Sequence, residues 1–178
     1  PAEIEEAYAE ATGKVPMMPD YATGFWQCKL RYTTQEQLLN VAREYKKRGI
    51  PISVIVCDFF HWTNQGDWQF DPKFWPDPQA MVDELTSMGI ELMVSIWPTV
   101  DVNSENYDEM KELGLLVRSE RANAVQMQFM GNEYLYDAFN PEAREYVWNK
   151  AKEHYYKYGI KIFWLDEAEP DYMFHYDF

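Results

Sequence analysis

Cysteine is scarce in this chain. Cys28 and Cys57 are the only two, and their spacing fits neither a metal site nor a disulfide framework, so both read as buried free thiols. Histidine is as thin, with three residues. His61 has no partner at ligand spacing, and no metal or other cofactor is expected. Long apolar runs are missing, so nothing reaches the roughly 18–20 residues that cross a bilayer. Pro1 to Glu10 is acidic and shows no leader pattern. Glycine never falls as Gly-x-Gly-x-x-Gly after a strand, and there is no P-loop, so a nucleotide site is unsupported. Positive charge is also short: 16 Lys and Arg stand against 30 Asp and Glu, a net charge of −14. Such a surface repels phosphate backbones and anionic lipids, which argues against a nucleic-acid or membrane partner.

Aromatic residues, by contrast, make up 17% of the chain, enough to look for aromatic-lined sites as well as core. A neutral substrate suits this balance. Sugar rings stack on aromatic faces, and carboxylates accept hydrogen bonds from hydroxyls. At 178 residues the chain can hold one ordinary domain with a real core.

Helix and strand patterns alternate. Residues 3–11 read as a short helix ended by Thr12-Gly13, and the lead-in 1–20 closes with Pro16 and Pro19. Gly24 to Leu30 reads as the first strand. Thr33 with Glu36 has capping-box spacing for a helix carrying Leu38, Leu39, Val41, Ala42 and Tyr45. Ile50 to Val56 is the second strand, running into Cys57-Asp58-Phe59-Phe60-His61-Trp62. Asp77-Pro78 starts the next helix as N-cap and N1 proline. Ile90 to Ile96 is the third strand and ends in Trp97-Pro98. Ser104 is expected to cap another helix. Residues 115–136, with Val125-Gln126-Met127-Gln128-Phe129 alternating, read as a hairpin-like insertion. Asn140-Pro141 repeats the N-cap and N1 proline signal. Lys161 to Leu165 is the fourth strand and leads into Asp166-Glu167-Ala168-Glu169-Pro170.

Gly49-Ile50, Gly89-Ile90 and Gly159-Ile160 each separate a helix from an apolar strand. Short returns of this kind predict a parallel sheet with right-handed crossovers. Aromatic or acidic groups at three successive strand ends favour a barrel over a doubly wound sheet. Eight units take about 250 residues, so the chain is expected to be a partial TIM (β/α)8 barrel, about its first four βα units. The remainder of the barrel is then its structural partner. By spacing alone, the acids after Leu165 are either groups delivered to a site or a solvated turn.

Four segments resemble glycoside hydrolase family 31, the α-glucosidases and α-xylosidases. They are Thr12-Gly13-x-x-Pro16-x-x-Pro19 with Gly24-Phe25-Trp26-Gln27; Phe70-Asp71-Pro72 with Phe74-x-Pro76-Asp77-Pro78; Asp137 to Arg144; and Trp164-Leu165-Asp166-Glu167-Ala168-Glu169-Pro170. The resemblance runs over nearly the whole chain. It implies that Asp166 is the catalytic nucleophile of a retaining α-glycosidase, with Glu169 in a supporting role. It also implies that Asp58 binds sugar hydroxyls in the innermost subsite. The family's general acid/base is expected beyond Phe178, so Asp171 and Asp177 are not put in that role, and these 178 residues alone are not expected to turn over glycosides. Trp97 and Trp164 stand at strand ends and are expected at the same mouth, together with some of Phe59, Phe60, His61 and Trp62; Trp26 is a further aromatic candidate. The segments after Cys57 and Leu165 look more like the α-xylosidase side of the family, which implies release of terminal α-linked xylose, as from xyloglucan oligosaccharides. An α-glucosidase of the same family and a non-catalytic carbohydrate-binding protein are the alternatives.

Overall fold

Three glycines set the rhythm of the chain. Gly49, Gly89 and Gly159 have φ of 67°, 72° and 97°, the left-handed region that side chains disfavour. Each ends a helical segment and turns the chain toward a strand. The computed structural model describes residues 1–118, 126–127 and 130–169. In chain order the elements are α1 (Ala2–Thr12), β1 (Trp26–Cys28), α2 (Gln35–Lys47), β2 (Val54–Cys57), α3 (Pro78–Ser87), β3 (Glu91–Ile96), β4 (Thr99–Asp101), α4 (Tyr107–Glu112), β5 (Gln126–Met127), β6 (Glu133–Leu135), α5 (Pro141–His154) and β7 (Ile162–Leu165). No helix among the described residues is long and apolar enough to cross a membrane.

β1, β2, β3 and β7 form one sheet in that order, every pair parallel. Helices α2, α3 and α5 all pack on one face of it. Leu38, Leu39 and Ala42 of α2, Met81, Val82 and Leu85 of α3, and Ala143, Val147 and Ala151 of α5 share a core with Ile55, Cys57, Leu92, Val94 and Ile96. A doubly wound sheet reverses its strand order and carries helices on both faces. Sequential order with one-sided helices is the pattern of a barrel wall. Side chains alternate along a strand, so Val54, Val56, Met93, Ser95, Ile162 and Trp164 take the opposite, inner face.

Helix starts follow from side-chain caps. Asp77 accepts from the Ala80 N–H and Asn140 from the Glu142 N–H, each ahead of an N1 proline. The α2 cap falls one residue later than the sequence suggests. Thr34 accepts from the Gln37 N–H at 3.1 Å, and Gln37 Oε1 accepts from the Thr33 N–H at 2.7 Å. Gln37 thus takes the reciprocal role expected of Glu36, which instead pairs with Arg43. Arg43 also forks onto Glu84 at 2.6 and 2.8 Å, joining α2 to α3. Ser104 does not cap α4 directly; Asn106 is the N-cap residue, and its N–H donates to the Ser104 hydroxyl.

A second, antiparallel sheet of order β4-β6-β5 sits beside the first. It takes one strand from residues directly after Trp97-Pro98. Of the alternating piece 125–129, only Gln126 and Met127 lie among the described residues; Pro170, Asp171 and Asp177 lie outside them. The long connection after β2 packs against β4 at Gly66. This glycine has φ 89°, and a Cβ there would lie 2.8 Å from the Val100 Cα. Backbone cannot yield as a side-chain tip can, so Gly66→Ala should cost about 1–3 kcal/mol. Thermal unfolding would show this as a lowered midpoint; an unchanged midpoint would mean that the contact is not tight.

The two cysteines differ. Cys57 is buried against the helices, but Cys28 is exposed, contrary to the sequence reading. Cys28 lies on β1, the outermost strand of the four-stranded parallel sheet among the described residues.

Candidate active site

Strand register decides which residues meet. Cys57 pairs with Val94, so the next step sets Asp58 level with Ser95. Ser95 in turn pairs with Trp164. One layer further, Ile96 pairs with Leu165, and the Asp166 N–H donates to the Ile96 carbonyl at 3.1 Å. That bond carries the ladder past the end of β7 and holds the Asp166 backbone to the sheet. By alternation, Asp58, Ser95, Trp97, Trp164 and Asp166 all fall on the inner face, at the carboxyl ends of three adjacent strands.

Asp58 is only 6% exposed. Its Oδ1 accepts from the Phe59 N–H at 2.8 Å. Burial raises its pKa above the usual carboxylate value, the Phe59 hydrogen bond opposes the shift, and the negative charge of Asp166 adds to it. The two acids therefore feel one another across the sheet. Asp166 itself is half-buried. Glu167 follows it with φ 53°, and burial, with the charges of Asp166 and Glu169, raises the Glu167 carboxyl as well. Glu169 is exposed.

An aromatic wall stands beside Asp58. Trp97 is 3% exposed and stacks on Phe59, with ring centroids 5.1 Å apart. Phe60 and Trp62 meet Trp97 edge-on at 5.7 and 5.6 Å. The Trp97 carbonyl accepts from the Trp68 indole N–H at 2.9 Å, which ties the long loop to the end of β3. Arg31 lies over Phe60 and Phe59 at 5.5 and 6.0 Å, a cation–π arrangement. Trp164 keeps 37% of its surface exposed. Among the described residues, the buried Trp62 indole N–H and Ser95 hydroxyl have no hydrogen-bond partner.

Two sequence candidates lie elsewhere than expected. Trp26 begins β1 and pairs with Val54, the first residue of β2. It is at the amino end of the sheet, four strand positions or about 13 Å from the level of Asp58, and its indole N–H donates to the Tyr21 carbonyl at 3.1 Å. His61 has no exposed surface. Its Nδ1 lies 3.0 Å from the Asp58 carbonyl oxygen and its Nε2 2.7 Å from the Tyr155 hydroxyl, so it is turned into the fold instead of into the mouth. Three further residues lie at or next to the site: Ser95, Arg31 and Tyr155. Ser95 is marked in the sequence by the strand parity it shares with Trp97. Arg31 and Tyr155 carry no local signal, since their contacts are made across the fold.

No group of three His, Cys, Asp or Glu side chains that could hold a metal is present among the described residues. The arrangement offers two carboxylates with unlike environments beside aromatic rings, which suits acid-assisted or nucleophilic chemistry on a polyhydroxylated ring.

Residues 15–177 match the family model described as the glycosyl hydrolases family 31 TIM-barrel domain. A family 31 glucosidase of Pseudescherichia vulneris described as uncharacterized, ORF2, is 57% identical over 99% of this chain and 33% of its own length. Alpha-xylosidase A of Aspergillus niger is 37% identical over 93% of this chain and 23% of its own. The chain thus spans a third or less of these relatives. Among solved structures, a family 31 α-xylosidase from a soil metagenome, complexed with xylose, is 66% identical with a TM-score of 0.91, over 97% of this chain and 25% of that one. With the one-sided helices and sequential parallel strands, these similarities show that the chain belongs to glycoside hydrolase family 31, as part of its TIM-barrel domain.

Proposed function

We propose that this chain carries the nucleophile side of a retaining α-glycosidase that releases terminal, non-reducing α-linked xylose. The observation that carries the reading is the placement of Asp166, its backbone anchored to the sheet at the end of β7 and its charge near enough to act on the buried Asp58. A retaining glycosidase needs an ionised carboxylate to attack the anomeric carbon while a protonated one assists the leaving group. Asp166 forms the new C1–O bond as the glycosidic C1–O bond breaks, giving a glycosyl-Asp ester. The departing oxygen takes its proton from the general acid. Water then attacks C1, the same group now acting as base, and the Asp166 carboxylate is released. Pinning the Asp166 backbone to Ile96 supports the attack geometry, which tolerates little misplacement.

Asp58 accepts hydrogen bonds from ring hydroxyls, and Trp164 offers an exposed ring face for stacking. Glu169 follows in the same acidic segment and positions the site by hydrogen bonding. Tight packing of Phe59 and Phe60 on Trp97 favours the smaller sugar, because a wall of rings leaves no give for an added hydroxymethyl group. The similarity to α-xylosidases, one of them complexed with xylose, supports the same choice. The second reading is an α-glucosidase, favoured by the relative described as a family 31 glucosidase.

Comparing kcat/KM of the full-length protein for aryl α-xylosides and aryl α-glucosides separates the two. A preference for xyloside is expected, and Phe59→Ala should shrink it about tenfold, within the 1–3 kcal/mol that one small group can command. A glucoside preference in the unsubstituted protein would overturn the xylose assignment.

A further inference from the structure

His61 and Tyr155 have no part in the chemistry above, yet they are among the most completely buried side chains of the fold. The His61 ring is enclosed by Trp62 at 4.7 Å, Phe70 at 5.0 Å and Tyr155 at 5.5 Å between ring centroids. Both ring nitrogens are occupied. A carbonyl oxygen only accepts, so Nδ1, 3.0 Å from the Asp58 carbonyl, bears the proton. Nε2 is then the acceptor for the Tyr155 O–H at 2.7 Å. Burial pushes the His61 pKa down to about 4, which keeps this neutral tautomer in place.

The turn these bonds hold is strained. Phe60, between Asp58 and His61, has φ 55°, a conformation a bulky residue keeps only where its surroundings enforce it. The enforcement is visible on both sides. The Phe59 N–H donates to the Asp58 carboxylate, and the His61 carbonyl accepts from the Asp71 N–H at 2.7 Å. The His61 ring closes the turn onto the Asp58 carbonyl.

We propose that Tyr155 and His61 are positioning residues for Asp58: the Tyr155 hydroxyl fixes the His61 tautomer and ring, and the ring holds the turn that aims the Asp58 carboxylate at the sugar. The proposal rests on the reading of Asp58 as a sugar-binding group. It explains why a histidine between aromatic residues at a strand end turns inward. It also makes Tyr155, which directly follows α5, part of the support for the end of β2.

A double-mutant cycle in the full-length protein tests this, with kcat/KM and KM measured on an aryl α-xyloside. Tyr155→Phe keeps the ring and removes only the hydroxyl. It should lower kcat/KM about tenfold, chiefly through KM. In an Asp58→Ala background the same change should have less than about a twofold effect, because its route to the substrate is gone. His61→Asn, whose amide can still donate to the Asp58 carbonyl, should keep more activity than His61→Leu. Val82→Ala, a core change on α3 away from the site, should lower the thermal midpoint and leave kcat/KM within about twofold. A loss on Tyr155→Phe that is equal in both backgrounds, or no loss at all, would overturn the positioning role. If Asp58→Ala alone leaves KM and kcat unchanged, the sugar-binding reading fails and the positioning role falls with it. If Asp58→Ala is costly but uncoupled to Tyr155, only the positioning role fails. Should Tyr155→Phe not fold, the His61→Asn and His61→Leu pair in both backgrounds decides the same question.

Discussion

Asp166→Asn in the full-length protein is expected to lower kcat by at least about 10⁴-fold while leaving xylose binding within about tenfold. The amide has nearly the shape of the carboxylate, and its backbone N–H still reaches the Ile96 carbonyl. What it loses is the charge that, in the proposed mechanism, attacks C1 and leaves as carboxylate. Loss of kcat with binding retained is the signature of a group that acts on the reacting atoms. The neighbouring acids are poor substitutes. Glu167 follows at φ 53°, off the extended path that delivers Asp166. Glu169 is exposed and has no ladder bond to fix it. Trapping the intermediate with a fluorinated xylosyl fluoride, followed by peptide mass spectrometry, should place the sugar on Asp166. A label on Glu167 or Glu169, or near-normal turnover by the Asn variant, would remove Asp166 from the role. Failure of the unsubstituted protein to turn over any glycoside would favour the non-catalytic binding alternative.

Asp58→Asn is expected to act on activity and stability in opposite directions. A charge-assisted hydrogen bond contributes about 1.5–3 kcal/mol. With Asp58 binding ring hydroxyls as proposed, weakening two such bonds should lower kcat/KM about 10²–10³-fold. Stability should move the other way. Asp58 is buried and near Asp166, and its carboxyl titrates above the ordinary value in the folded chain. The unfolded chain releases this proton near pH 3.9, as ordinary Asp does. As pH rises from there through the folded pKa, the unfolded state gives up its proton first, so folding stability falls and stays lower at neutral pH. Asn carries no such charge, and its side-chain oxygen can still accept from the Phe59 N–H. The variant should therefore melt a few degrees higher than the parent at pH 7, with the difference vanishing in acid below the unfolded value. A variant that melts lower at pH 7 would show that the Asp58 charge is compensated in the fold.

Much of the wall was legible because its signals are short-ranged. The helix-to-strand glycines, the Asp77 and Asn140 caps, and the apolar stripes of α2, α3 and α5 are set within a few residues of each other. The β-branched run at Val54–Val56 needed no partner to be read as buried. Errors arose where neighbouring groups compete or where a distant contact decides. Thr33 and Thr34 both offer a cap, and the Gln37 side chain selects the second. His61 sits in a segment that reads as a pocket lining, yet a tyrosine 94 positions away turns it inward. Trp26 lies on a strand, but only the register shows which end of the sheet it occupies.

By itself the sequence determined the order of units, the phase of each strand, and the acids and aromatics brought to the strand ends. Periodicity, capping and backbone preference are local, and so they can be read along the chain. Only the tertiary structure decided which of these groups share a layer. Asp58, Ser95 and Trp164 are level because parallel strands some forty residues or more apart pair in one register. Burial, the mutual charge of Asp58 and Asp166, and the inward turn of His61 all follow from that pairing. Each is a property of neighbours in space, which no spacing along the chain records.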